Sequence, residues 1–215
     1  MTEEFNQQNI IAIIWDFDKT LSPDYMQKPL FKKYKVNSDE FWREVEALPK
    51  VFEENGLDLI SRDTLYLNHI LNYVRNGDFE NLSNKKLFEL GKEIQFYRGI
   101  PSFFSTIKEF IQTTEKYRLY DIKLEHYIVS TGLRQMILGS EIAEYVDGVW
   151  ACEFVEYVPK PGFLSSDDSP QPISTSIQDI GYVIDNTTKT RAIFEINKGS
   201  NKIPEIDVNA NVPQA

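Results

Sequence analysis

The tightest constraint in this chain is a short apolar run that stops on two carboxylates: residues 9–21 read Asn-Ile-Ile-Ala-Ile-Ile-Trp-Asp-Phe-Asp-Lys-Thr-Leu. Residues 10–15 are too few to span a membrane, and they lack the polar–apolar alternation of a strand with one wet face. They read as a strand buried on both faces, and therefore central in its sheet. Asp16 and Asp18 follow at its C-terminal end, where ligands gather in an open α/β sheet. Side chains two apart on a strand share a face, so the two acids can start side by side. One nucleophilic carboxylate and one that trades protons make a workable active-site plan. The competing reading is that one of them only caps a following helix.

Length permits either one domain with a large insertion or two small domains. The net charge of −10, with no stripe of Lys and Arg, argues against a nucleic-acid surface. A small phosphate stays within reach if a metal ion and a lysine supply the positive charge locally. The single cysteine, Cys152, excludes an internal disulfide and a cysteine-based zinc cluster. With only His69 and His126 besides, a metal site would be built from oxygen ligands, which suits magnesium. Residues 1–8 are acidic and polar without an apolar signal region, and no long apolar segment occurs, so the expectation is a cytoplasmic protein without a membrane partner.

Beyond Leu21 the apolar spacing becomes helical. Ser38 reads as an N-cap, with Phe41, Val45 and Leu48 on one stripe and Pro49 as the stop. Residues 57–75 place Ile60, Thr64, Leu67, Leu71 and Val74 at helical spacing before Asn76-Gly77, and a third helix runs from Ser83 to near Ile94. Residues 22–97 thus form an all-helical block inserted behind the first strand. Its Tyr25, Phe31, Trp42, Tyr66 and Tyr73 read as core rather than as a substrate pocket. A helix over 101–117 follows, with Phe103, Phe104, Ile107, Phe110 and Ile111 as its buried face.

Residues 126–129 read as a strand that runs into Ser130-Thr131-Gly132 and a helix over 133–142. That is anion-binding geometry, although Ser and Thr before a helix are also ordinary caps. A third strand is predicted at 146–151, hairpin arms at 154–158 and 162–164, and a further strand at 180–184 that ends on Asp185. Cys152 reads as a small buried hydrophobe, and Asp167-Asp168 as a solvated loop tip rather than a metal ligand. Asn186-Thr187-Thr188 caps a helix over about 189–197 with Ala192, Ile193 and Ile196 inward. Lys189 sits in its first turn, where the helix dipole disfavours a cation, which hints at an anion nearby.

The string Asp16-Phe17-Asp18-Lys19-Thr20-Leu21 after an apolar strand resembles the first motif, Asp-x-Asp-x-Thr, of the haloacid dehalogenase superfamily. With the helical insertion, Ser130, the hairpin and Lys189 in that order, the chain is similar to the members with a helical cap, especially the phosphoserine-phosphatase-like branch. The resemblance implies an α/β fold, a three-layer Rossmann-like parallel sheet with an inserted all-helical cap domain and a β-hairpin. The core would comprise residues 1–21 and 98–215, and the cap 22–97. It implies a magnesium-dependent phosphohydrolase acting on a small phosphomonoester, a small phosphorylated metabolite. Asp16 would attack phosphorus and form an aspartyl-phosphate, while Asp18 would protonate the leaving alcohol and then activate water. Magnesium would be held by Asp16 and the backbone carbonyl of Asp18. Ser130, Thr131, Gly132 and Lys189 would bind the phosphoryl oxygens, and Thr20 would orient the loop.

The resemblance also implies a fourth motif, a strand ending in one or two acids beside the first strand. No apolar strand of that kind lies between Lys189 and Ala215; Asp207 falls in a loop-like tail. Asp185 is a conceivable metal ligand in its place, against a simpler role as a turn or helix cap. Without that strand residues 10–15 would present an open edge, which invites self-association. The expectation is a truncated form of a longer enzyme, weakly active or inactive, poorly stable or associated with a second copy. A non-catalytic binding or regulatory protein of the same fold, and a phosphotransferase, are the alternatives.

Overall fold

A computed structural model describes residues 9–57, 59–159, 161–165, 176–199 and 202. The expectations for residues 1–8, for Asp167-Asp168 and for the tail with Asp207 lie outside the described residues. The fold is α/β: four strands in the order β1-β2-β3-β4 carry helices around one continuous apolar core. Strand β1 (Ile10–Trp15) pairs in parallel with β2 (Lys123–Leu133), Trp15 lying opposite Ile128. Strand β2 pairs in parallel with β3 (Gly148–Val155), and β3 pairs antiparallel with β4 (Asp179–Tyr182).

Among the described residues β1 is an edge strand with β2 as its one neighbour, not the central strand its apolarity predicts. Ile10 and Ile11 are 47% and 42% exposed, and only Ile13, Ile14 and Trp15 sink partway into the molecule. Strand β4 also departs from its predicted role. Predicted over 180–184, it spans Asp179–Tyr182 and forms the second arm of the β3 hairpin, while residues 163–165, expected to supply that arm, make a short 3-10 turn.

Between β1 and β2 the chain is helical: α1 (Lys28–Tyr34), α2 (Ser38–Glu54), α3 (Leu65–Asn76), α4 (Asn84–Gly91), α5 (Ile100–Thr113) and α6 (Glu115–Leu119). Helix α2 is capped by Asn37, whose side chain accepts from the amides of Asp39 and Glu40, rather than by Ser38. Pro49 does not end α2; it is buried within a helix that continues to Glu54. Ser83 caps α4 as expected, accepting from the Lys86 amide. In α5, Phe104 and Ile111 are buried, whereas Phe103 and Phe110 stay exposed, their rings meeting Trp15 and Tyr117 edge-on.

After β2 come α7 (Arg134–Gly139) and, beyond β4, α8 (Thr188–Lys198). The inserted helices are pressed onto the sheet half through α4 and α7. A Cβ added at Gly139 would collide with the Phe88 backbone, and one at Gly91 with the Met136 carbonyl. Only glycine allows that approach. In α8, Ala192 and Ile196 face inward while Ile193, predicted inward, is 45% exposed. No helix among the described residues is long and apolar enough to cross a membrane.

Candidate functional site

The site forms where β1 and β2 end. Past Trp15 the chain turns tightly, with the Phe17 carbonyl accepting from the amides of Thr20, Leu21 and Ser22. Phe17 and Leu21 are fully buried and anchor this turn. Because alternate residues point oppositely, anchoring Phe17 inward leaves Asp16 and Asp18 on the other side together. Lys19 completes the turn at φ 63°, its Nζ donating to the Pro23 carbonyl at 2.8 Å and lying over the Tyr25 ring.

The two acids differ in environment. Asp16 is exposed; its Oδ1 accepts from Lys189 Nζ at 2.8 Å and its Oδ2 from Thr20 Oγ1 at 3.3 Å. The cation at the start of α8 thus has its anion, and that anion is Asp16. Asp18 is largely withdrawn from water, and its Oδ1 accepts from the Met26 amide at 2.9 Å. Burial pushes its pKa from 3.8 up to about 6, against the pull of the Met26 amide and with the help of the Asp16 charge; Lys19 and Lys189 act downward. A carboxyl that titrates close to neutrality suits proton transfer.

Ser130, Thr131 and Gly132 lie inside β2 rather than in a turn before a helix, at a point where the register with β3 shifts between Val129 and Leu133. Such irregularities re-aim side chains at sheet rims. Helix α7 has six residues and its N-cap Leu133 makes no side-chain cap, so the tight turn leading into a helix over 133–142 is not formed. Ser130 is buried and its Oγ accepts from the Gly132 amide at 3.0 Å. The Leu133 amide donates to the Met26 thioether at 3.0 Å. The Thr131 carbonyl accepts from the Tyr66 hydroxyl at 2.6 Å and from Cys152 Sγ at 3.4 Å.

Asp185 acts as a cap. Its Oδ1 accepts from the amides of Thr187 and Thr188 at 2.9 and 2.6 Å and from Thr188 Oγ1 at 2.9 Å, which holds its carboxyl below the usual range. Asn186, expected to help cap the helix, instead donates to Asp63 in the inserted helices at 2.7 Å. Among the described residues no group of three or more His, Cys, Asp or Glu side chains converges for a metal ion. The donor set is therefore the Asp16 carboxylate and neighbouring backbone carbonyls. All are hard oxygens, and magnesium commonly binds through one or two carboxylates, substrate phosphate and retained waters, so the residues fit that ion.

Sequence reasoning finds Asp16, Asp18, Thr20 and Lys189, which the fold brings together, whereas Ser130, expected just past a strand end, lies buried inside β2. Sequence reasoning misses Met26, for which no sequence signal exists, and the role of Tyr66, which reaches the site edge from α3 although its spacing reads as core. Both belong to the inserted helical segment.

No family model matches the chain. A protein of Borreliella burgdorferi, itself uncharacterized, is 46% identical over 211 residues, which cover 97% of this chain and 70% of that protein. Among solved structures, a HAD family hydrolase from Salmonella enterica subsp. enterica serovar Typhi superposes with a TM-score of 0.55 at 12% identity over 90% of this chain. The chain spans about half, 52%, of that hydrolase's length. A phosphoserine phosphatase solved as a phospho-aspartyl intermediate analogue aligns at a TM-score of 0.43 and 18% identity, over 91% of this chain and 73% of its own length. This chain belongs to the same family as the Borreliella burgdorferi protein, and it shares the fold of the Salmonella HAD family hydrolase.

Proposed function

We propose that the chain is a phosphohydrolase acting on a small phosphomonoester through an aspartyl-phosphate. The observation that carries the reading is the pairing of an exposed carboxylate, Asp16, held by Lys189 and Thr20, with a mostly buried acid two residues on, Asp18, tuned to about 6. Each Asp16 oxygen accepts one hydrogen bond and keeps a second lone pair, so Lys189 and Thr20 fix the carboxylate without blocking attack. As Asp16 attacks phosphorus and the ester oxygen departs, Asp18 gives that oxygen its proton; it then takes one from water that attacks the acyl-phosphate. Lys189 stabilises charge on the transferring phosphoryl group, and the Ser130 hydroxyl, still able to donate, supports the same oxygens.

Magnesium would be held by Asp16 and the Asp18 carbonyl, where it would neutralise phosphoryl charge. The helical segment 22–97 acts as the cap of this site; Tyr66 on Thr131 and Asp63 on Asn186 tie it to the site edge. A second reading, a non-catalytic phosphate-binding protein of the same fold, is favoured by one observation: no third acid joins Asp16 and Asp18 among the described residues. Turnover of an aryl phosphate with magnesium separates the two. The catalytic reading requires activity in the wild type that disappears in Asp16→Asn. No turnover by the wild type, or undiminished turnover by Asp16→Asn, overturns it.

A further inference from the structure

Met26 touches both halves of the site. Its side chain is 1% exposed, its backbone amide donates to Asp18 Oδ1 at 2.9 Å, and its Sδ accepts from the Leu133 amide at 3.0 Å. The thioether also fills the space in front of Gly132, where an added Cβ would collide with Met26 Sδ and Cε. The Ser130 hydroxyl borders the same space, 3.2 Å from that Cβ position. A thioether is a weak acceptor, whereas an anionic oxygen makes charge-assisted bonds about twice as strong as neutral ones. The Leu133 amide is therefore paired with an acceptor that a phosphoryl oxygen outcompetes.

We propose that Met26 is a positioning residue that gates this cradle: its thioether and a phosphoryl oxygen compete for one place beside Ser130, Gly132 and Leu133. The inference rests on the phosphomonoester reading of the site. Methionine suits the task, since an unbranched side chain with several rotatable bonds repacks readily.

The test is a titration of the full ¹⁵N-labelled chain with inorganic phosphate in magnesium buffer, following the Gly132 and Leu133 amide resonances in wild type, Met26→Ala and Met26→Leu. Removing the competing group raises the fraction of protein ready to bind, so Met26→Ala is expected to bind phosphate about tenfold tighter. Met26→Leu keeps the bulk and the backbone amide but removes the sulfur acceptor, so it is expected to bind phosphate more tightly than wild type and less tightly than Met26→Ala. A merely structural role for Met26 predicts the opposite sign, with weaker binding on truncation. Should Met26→Ala not fold, Met26→Val provides a smaller truncation with the same expected direction. Equal or weaker phosphate binding by the folded truncation variant overturns the gate while leaving the phosphatase reading intact. No phosphate binding by any of the proteins overturns the phosphate reading of the site, and the gate with it.

Discussion

Asp18→Asn is expected to make the protein more stable while removing its activity. The Asp18 carboxyl is held at about 6 chiefly by burial, against an ordinary value of 3.8. Its folded-state pKa thus lies above its unfolded one, and between the two the folded chain binds more protons. Stability therefore falls as pH rises through that window, and above it an ionised Asp18 destabilises the fold. At about 1.36 kcal/mol for each decade of proton affinity the cost comes to about 3 kcal/mol. Asparagine removes the charge and can still offer an oxygen to the Met26 amide. Urea unfolding followed by tryptophan fluorescence, at pH 4, 6 and 8 with a chelator present, measures the difference. The variant should match wild type near pH 4, gain through pH 6 and be more stable by about 3 kcal/mol at pH 8. A variant no more stable at pH 8, or a gain independent of pH, would refute the reasoning, because either result means that the buried charge is not what Asp18 costs the fold.

The contact between the inserted helices and the sheet half is tested by Gly139→Ala. Its new methyl meets the Phe88 backbone, which cannot rotate away, so denaturant unfolding should register a loss of about 2–3 kcal/mol; an unchanged midpoint contradicts that close approach. Gly132→Ala should also destabilise, through its collision with Met26. A double-mutant cycle with Met26→Ala is expected to recover about 1 kcal/mol or more, and simple additivity would mean that the two residues do not meet. Lys189→Met keeps the length of the side chain and removes its charge from Asp16; aryl phosphate turnover should drop by about 100-fold or more, as for other groups that stabilise transition-state charge. Its stability should change by less than about 1 kcal/mol, because the ion pair is partly exposed.

Short-range physics made much of this chain legible. An apolar run ending in Asp16-Phe17-Asp18 is a strand followed by two acids on one face, because alternation acts residue by residue. Helical spacing located α4 and α8 to within a few residues, and Ser83 capped α4 as its type suggests, whereas α3 begins only at Leu65, well after the start predicted at Leu57. Caps and stops were less secure, since several neighbouring residues compete for the same amides. Asn37 displaced Ser38 and Pro49 was absorbed into α2, whereas Asp185 holds the Thr187 and Thr188 amides, the turn-or-cap role read for it against that of a metal ligand.

The sequence by itself determined the α/β class and the two acids, Asp16 and Asp18, that follow the first strand. Tertiary structure decided where the strands stand: β1 at an edge and β4 turned back on β3, because pairing depends on chain segments far apart in sequence. It also set Lys189 on Asp16 across 173 residues, and Met26 against Leu133 across 107. Neither contact has a local signature, since a lysine's charge and a thioether's weak basicity gain their meaning only from what the fold places beside them.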